Sequence, residues 1–471
     1  MRPAVGVLGA ALAVAASIGP ALPGTSSGLA AQGTRGWATT TARYLELPGP
    51  LRDASGGAVG TDLLGGWTGT QDVALTAWGL GMRGLSVTTL LRARVDGGSL
   101  AWPRADDGFD AMLLYAQLDG TGWRIRAGRQ ETASGLGFSA FDGAALRVSV
   151  AGVGTGLSLE AFGGRSLARG LSEPRNEALR GLEDFVPDTD AWIVGGAVEA
   201  RLAGATSASV RYQREIWSDR SGLISERASV DVRTGVFGPV RVTGSADWDF
   251  PFARVGKAHL TASFAPSRAT LMEATLRRYV PYFELSTIWG FFEPVPYHEA
   301  VARINVSAAE GLGVWATGGV RRYEAASGPV FLSPLEDRGW RGEAGVVWRP
   351  APVWAVTGRY EIDWLPGAFL QGGTVDGSWT VAPQVVVGAS LTTFQRFEEF
   401  RLGEGRAVGV GLNASAGLTS RTRVDAGLAR YRHSTEGRGD VDPWHQDRAW
   451  VSFRVALGDD PGLRGRAGAG S

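Results

Sequence analysis

The sequence predicts an all-β transmembrane barrel, antiparallel and up-and-down, with an even number of strands, best counted as 22 within a range of 16 to 22. Three observations carry this reading. Segments of about ten residues recur in which every second residue is apolar; Trp stands at both ends of one such apolar face; and an export-type leader is followed by no apolar run suited to a membrane helix.

The leader comes first. Arg2 precedes an uncharged apolar stretch from Val5 to Ile18, then Gly19, Pro20 and Pro23, then the small residues Gly28-Leu29-Ala30-Ala31. This order of basic, apolar and small-residue regions predicts a Sec-type signal peptide over residues 1–31, cleaved after Ala30 or Ala31. The one long uncharged window after it, Gly377 to Gln395, contains Pro383 between two short β-like runs, so it does not read as a helix. The expected destination is the outer membrane of a diderm bacterium.

Composition narrows the class. The chain has 471 residues, with 47 basic and 47 acidic side chains and 44% hydrophobic residues, which excludes a strongly basic nucleic-acid binder and general disorder. Lys257 is the only lysine, so 47 − 1 = 46 basic residues are Arg. The 69 glycines follow no collagen period and suit a turn-rich β protein. The absence of Cys excludes disulfides, a thiol nucleophile and Cys-ligated metal.

Along the mature chain the period is two. Val242, Gly244, Ala246, Trp248 and Phe250 alternate with Arg241, Thr243, Ser245, Asp247 and Asp249. Ala258, Leu260, Ala262 and Phe264 alternate with Lys257, His259, Thr261 and Ser263. Residues 340–364 read as a complete hairpin whose apolar face carries Trp340 and Trp348 on one strand and Trp354 and Trp364 on the other, with Arg341, Glu343, Arg359, Glu361 and Asp363 on the opposite face. Ten residues at ~3.3 Å each, tilted by ~40°, project to roughly 25 Å, the height of a lipid-facing band flanked by an aromatic girdle.

Ten short turns, from that near Gly81 to that near Leu418–Arg421, join twenty strands; one strand near Trp37 to Leu47 and one near Ala449 to Leu457 bring the count to 22. The barrel is expected over residues 32–457, with a flexible tail over 458–471, short turns in the periplasm and long loops outside. A first strand within about ten residues of the cleavage site leaves no room for a plug domain, which argues against a TonB-dependent receptor. No 40-residue motif repeats, which argues against a propeller.

Two loops attract attention. Ser166 to Asp190 predicts a short helix, with Ser172 as N-cap and Leu179, Leu182 and Phe185 on one face, as a lumenal constriction or a surface helix. Val280 to His298 carries Tyr282, Trp289, Phe291, Phe292 and Tyr297, a surface able to contact solute or cover the barrel mouth. The inward face is expected to hold the pore-lining residues Arg124, Arg126, Arg227, Asp231, Arg233, Arg241, Asp247, Arg303, Arg321, Arg341, Glu343, Arg359 and Glu361, because Arg at the bilayer midplane costs about 2–4 kcal/mol on the lipid side. No cofactor, metal site or catalytic residue is expected. His433-Ser434, and His445 with Asp442, supply only isolated pairs.

The run Trp123-Arg124-Ile125-Arg126-Ala127-Gly128-Arg129-Gln130, followed by Phe141-Asp142-Gly143-Ala144, resembles the G-R-Q and F-D-G elements of alginate-export-type outer-membrane barrels and related porins. The resemblance implies a barrel passing an anionic polysaccharide or small solutes, with Arg124, Arg126 and Arg129 in its pore wall. The phase of Ala449, Val451, Phe453, Val455 and Leu457 is similar to the signal that such barrels present to the barrel-assembly machinery. The expected partners are therefore that machinery, outer-membrane lipid and small hydrophilic or saccharide solutes, and no nucleic acid. The function expected is a porin-like channel. The alternatives are a closed barrel serving surface binding or envelope assembly, and an outer-membrane hydrolase.

Overall fold

A computed structural model describes residues 32–52, 58–98, 108–151, 156–167, 191–202, 206–218, 221–237, 239–280, 296–324, 337–365, 368–397, 404–436 and 444–458. The strands are β1 (Gly33–Arg52), β2 (Ala58–Trp78), β3 (Leu85–Gly98), β4 (Gly108–Gly120), β5 (Trp123–Ser134), β6 (Gly137–Ala151) and β7 (Gly156–Ser166). They continue as β8 (Ala191–Leu202), β9 (Thr206–Trp217), β10 (Leu223–Phe237), β11 (Val240–Asp249), β12 (Arg254–Ser267), β13 (Thr270–Tyr279), β14 (Tyr297–Ala309) and β15 (Leu312–Tyr323). The last are β16 (Arg338–Ala351), β17 (Trp354–Leu365), β18 (Ala368–Ala382), β19 (Val385–Phe397), β20 (Glu404–Gly417), β21 (Thr422–Glu436) and β22 (Trp444–Gly458).

Each strand pairs antiparallel with the next, and β1 pairs with β22, so the 22-stranded sheet closes on itself. No helix occurs among the described residues. Closure leaves the barrel without a free first or last strand, which is what a sheet in hydrocarbon requires. Gly33 of β1 and Gly458 of β22 lie on the side of tight turns such as Thr121–Gly122 and Glu310–Gly311, while Ser166, Tyr279 and Tyr323, the last residues of β7, β13 and β15, lie on the other side.

Contacts that skip strands identify the inner face. Arg211 of β9 donates to Thr132 Oγ1 of β5 at 2.9 Å, and Gln213 of β9 donates to Ser139 Oγ of β6 at 3.0 Å. Chords of that kind pass only through the interior of a closed barrel. The opposite face is apolar and bare: Leu276, Val320, Val410, Leu412 and Leu428 are each more than half exposed. Exposure on that scale, continuous round the wall, fits hydrocarbon and not water.

The boundaries shift slightly from the expected ones. The first strand begins at Gly33 and runs to Arg52, and the last runs to Gly458, the first residue expected in the tail. The turn between β12 and β13 sits at Arg268–Ala269. The leader over 1–31, the helix expected over 172–185 and the tail after Gly458 lie outside the described residues.

Candidate functional site

Residues 130–140 leave the wall. Strand β4 pairs with β5 only as far as Leu114–Arg129, and β6 pairs with β7 only from Phe141–Ser166, yet β5 and β6 stay paired up to Ser134–Gly137. Beyond the Leu167 N–H that bonds to the Ala140 carbonyl at 2.9 Å, the tip of this hairpin therefore has no ladder partner on either side among the described residues, and it folds inward. The departure occurs beside Gly128, whose φ of 121° is a conformation that residues with a Cβ rarely adopt. At the far end Gly135 lies against β10, where a Cβ would stand 3.0 Å from an Asp231 carboxylate oxygen and 3.1 Å from Ser229 Oγ, so only Gly fits without a shift.

Beneath the tip lies a small core. Phe141 and Phe162 stack at 5.3 Å, with Ile193 fully buried beside them. Gln130, 2% exposed, donates to the Gly143 carbonyl at 3.1 Å. Arg211 also approaches Glu160 at 3.4 Å and covers the Phe162 ring. These contacts occupy one sector of the lumen and hold the hairpin against it.

A second sector is charged. Glu299 of β14, whose side chain is 1% exposed, receives Arg321 Nη2 at 3.0 Å and Arg341 Nε at 3.2 Å, and pairs with Arg277 as well. Asp363 stands opposite Arg341 in register, so three guanidiniums face two carboxylates and leave a surplus of one positive charge. Tyr297 sits between Tyr279 and Tyr323, with ring centres 5.5 and 5.6 Å away, and Arg321 lies 4.6 Å over its ring. One step nearer the short-turn end, Arg303, Arg341, Glu343, Glu361 and Asp363 line a cavity of about 350 Å³. Arg359 reaches Glu361 at 2.5 Å, and Trp315 Nε1 donates to Glu343 at 3.2 Å.

Strand register puts all thirteen candidate pore residues on the inner face, in separate groups. Arg303, Arg321, Arg341, Glu343, Arg359 and Glu361 share β14 to β17. Arg227, Asp231, Arg233, Arg241 and Asp247 share β10 and β11, where Asp247 accepts the Lys257 backbone N–H. Arg124 and Arg126 stand on β5, bonded to Asp119 at 2.6 Å and Gln117 at 2.8 Å. Trp340, Trp348, Trp354 and Trp364 are on the outer face, 44–49% exposed, and Trp340 stacks on Trp364 at 6.2 Å.

Two expectations are corrected. Tyr297 is not a loop residue: it opens β14, and alternation turns it inward with Glu299. Tyr282, Trp289, Phe291 and Phe292 lie outside the described residues. Arg129 is not in the inner wall, because it shares the outward phase of Trp123, Ile125 and Ala127 and binds Asp142. His433 and Ser434 are consecutive strand residues and so point to opposite faces, which prevents their acting as a pair. Closure of β1 on β22 adds Glu46 to His445 and Asp447 on the outer rim, a trio within 4.8 Å that the sequence did not suggest. Its carboxylates are already engaged, Asp447 by Arg430 at 2.8 and 2.9 Å and Glu46 by Tyr44 at 2.6 Å.

Sequence reasoning missed Gln130, Thr132, Ser139, Arg211 and Gln213. The available signal was Gly135-Leu136-Gly137, a tight turn at the end where loops were expected to be long.

No protein-family model matches the chain, and no curated protein does. Among solved structures, the chain is similar to a variant of the ferric enterobactin receptor of Pseudomonas aeruginosa, at 9% identity, covering 92% of this chain and 81% of that one, with a TM-score of 0.50. It is also similar to OccAB2 of Acinetobacter baumannii, at 10% identity over 92% of this chain and 100% of that one, with a TM-score of 0.43. These neighbours are outer-membrane barrels, and the likeness is one of fold.

Proposed function

We propose that this chain is an outer-membrane channel that passes hydrophilic solutes through a charged lumen narrowed by its own β5–β6 hairpin. The observation that carries the reading is the inward fold of residues 130–140, anchored on Arg211 and Gln213 across the barrel interior. A barrel serving only as an anchor has no need of a hairpin that divides its lumen. The charged sector around Glu299 then faces the remaining space, and the arginine surplus there favours anionic or saccharide solutes. The girdle tryptophans set the bilayer height, and the arginines on the inner face are kept away from lipid.

Planar-bilayer recording of the purified barrel under a salt gradient tests the proposal. Discrete conductance steps, with a reversal potential that moves toward cations in Arg321→Ala and Arg341→Ala, support it. Persistent silence from protein that still shows heat-modifiable folding replaces it with the closed surface-binding barrel.

A further inference from the structure

Four basic residues form a row on the outer surface near the loop end. Arg278 of β13, His298 of β14, Arg322 of β15 and Arg338 of β16 are direct cross-strand partners, one after another. Arg322 and Arg338 are like charges placed directly opposite each other, which is destabilising in a sheet, so this end of the row calls for an anionic complement. The described residues supply only part of it. Glu324 takes Arg278 at 2.9 Å and His298 at 2.8 Å, while Arg322 and Arg338 share Asp337 at 3.9 and 3.7 Å and keep 75% and 81% of their side-chain surface exposed.

Two residues nearer the mid-barrel, the same strands present an apolar row in the same register: Leu276, Ala300, Val320, Trp340 and, on β17, Trp364. Ala300 is the small member between Leu276 and Val320, and the surface there sinks into a groove of about 1030 Å³. A concavity of this size on a convex, lipid-facing wall is a shape for one acyl lipid. The two tryptophans mark the interface, and the basic row lies roughly 5 Å beyond them, at headgroup depth. From Arg278 to Arg338 the row spans roughly 14 Å, three strand spacings.

We infer that this groove is a binding site for an outer-leaflet lipid whose headgroup carries phosphates, with its acyl chain along Leu276, Ala300 and Val320 and its phosphates on Arg322 and Arg338. Guanidinium forks suit phosphate oxygens, and among the described residues the shared Asp337 leaves both arginines with free donors. The inference rests on the outer-membrane placement of the barrel and not on an open pore.

Native mass spectrometry of the full barrel, folded in detergent and offered bisphosphorylated lipid A, provides the test. The wild type should retain one lipid, and R322Q/R338Q should lose affinity by about tenfold. Ala300→Leu, which fills the groove floor and leaves the basic row intact, should also weaken retention. The same lipid stripped of its phosphates should bind poorly, and inorganic phosphate at equal concentration should not displace the bound lipid. Equal retention by R322Q/R338Q, equal binding of the dephosphorylated lipid, or displacement by inorganic phosphate would each overturn the site. Heat-modifiable migration confirms folding of both variants. Because Arg322 and Arg338 are on the outer face, conductance should be unchanged in R322Q/R338Q, and a wild type without conductance would sink the channel proposal while leaving the lipid result standing.

Discussion

Arg129 on β5 and Asp142 on β6 stand opposite each other on the outer surface, joined by hydrogen bonds of 2.8 and 2.7 Å, while Arg129 also donates to the Ala111 carbonyl of β4 at 3.0 Å. This is the last register at which β4 and β5 remain paired. The arginine therefore fastens three strands at the root of the hairpin and takes up a β4 carbonyl just beyond the point where the ladder ends. A motif that resembles a pore element is here a clamp on the wall.

Arg129→Ala should loosen that root. Both partners are partly exposed, so the loss in stability is modest, about 1 kcal/mol. Urea unfolding followed by tryptophan fluorescence measures it, and open-channel current noise should rise in the same variant. Unchanged noise would mean that Gly128 and the tip contacts position the hairpin unaided.

Deleting residues 132–139 and joining the strands with two glycines removes the tip but keeps the wall. Single-channel conductance should rise by a factor of about two or more, because the obstructed sector opens to ions. Conductance equal to wild type would place the narrowest point elsewhere.

Glu299→Ala should be among the most damaging single changes. It strips the common partner from Arg277, Arg321 and Arg341 in a site where the carboxylate is almost wholly buried. Breaking a buried pair on one side costs about 3 kcal/mol or more. The temperature at which the folded band disappears on a heat-modifiability gel reports the loss, and selectivity should shift toward anions in whatever fraction still folds.

Acid sensitivity should appear at Glu324, which follows β15 at the loop end. A hydrogen bond from Arg278 holds its carboxyl below the usual carboxylate range, with His298 adding to the effect. A carboxyl depressed in the folded state contributes stability above its unfolded value and loses that contribution as pH falls through the folded value. Stability measured from neutral to acidic pH should therefore fall more in wild type than in Glu324→Gln. Parallel curves would refute the coupling.

The wall was legible from sequence and its indentation was not. Alternation is imposed by the pleat residue by residue, so Val242 to Phe250 and the Trp340–Trp364 hairpin declared strands, phase and girdle directly. The even count followed from turn signals alone. Whether a strand stays in the wall depends on partners far away in sequence, and the alternation of Thr132 with Ala133 is the same in a wall strand and in an infolded tip. Arg129 shows the opposite failure: its phase with Ile125 and Ala127 pointed outward, and the motif resemblance pulled it inward against that phase. The basic row on β13 to β16 stayed hidden because its members are scattered over sixty residues until register aligns them.

Closure of β1 on β22 also sets a kinetic demand. Thr41 bonds to Ser452 at 3.1 Å across a separation of 411 residues. Bringing ends that far apart together costs about 5 kcal/mol of loop entropy before any contact rewards it. Until that seam forms, both margins of the sheet are unsatisfied templates for another copy of the chain. A chain shortened before Trp444 would retain the open margin on β1 permanently, and its fate in the cell envelope would be self-association instead of a ring closed by one chain.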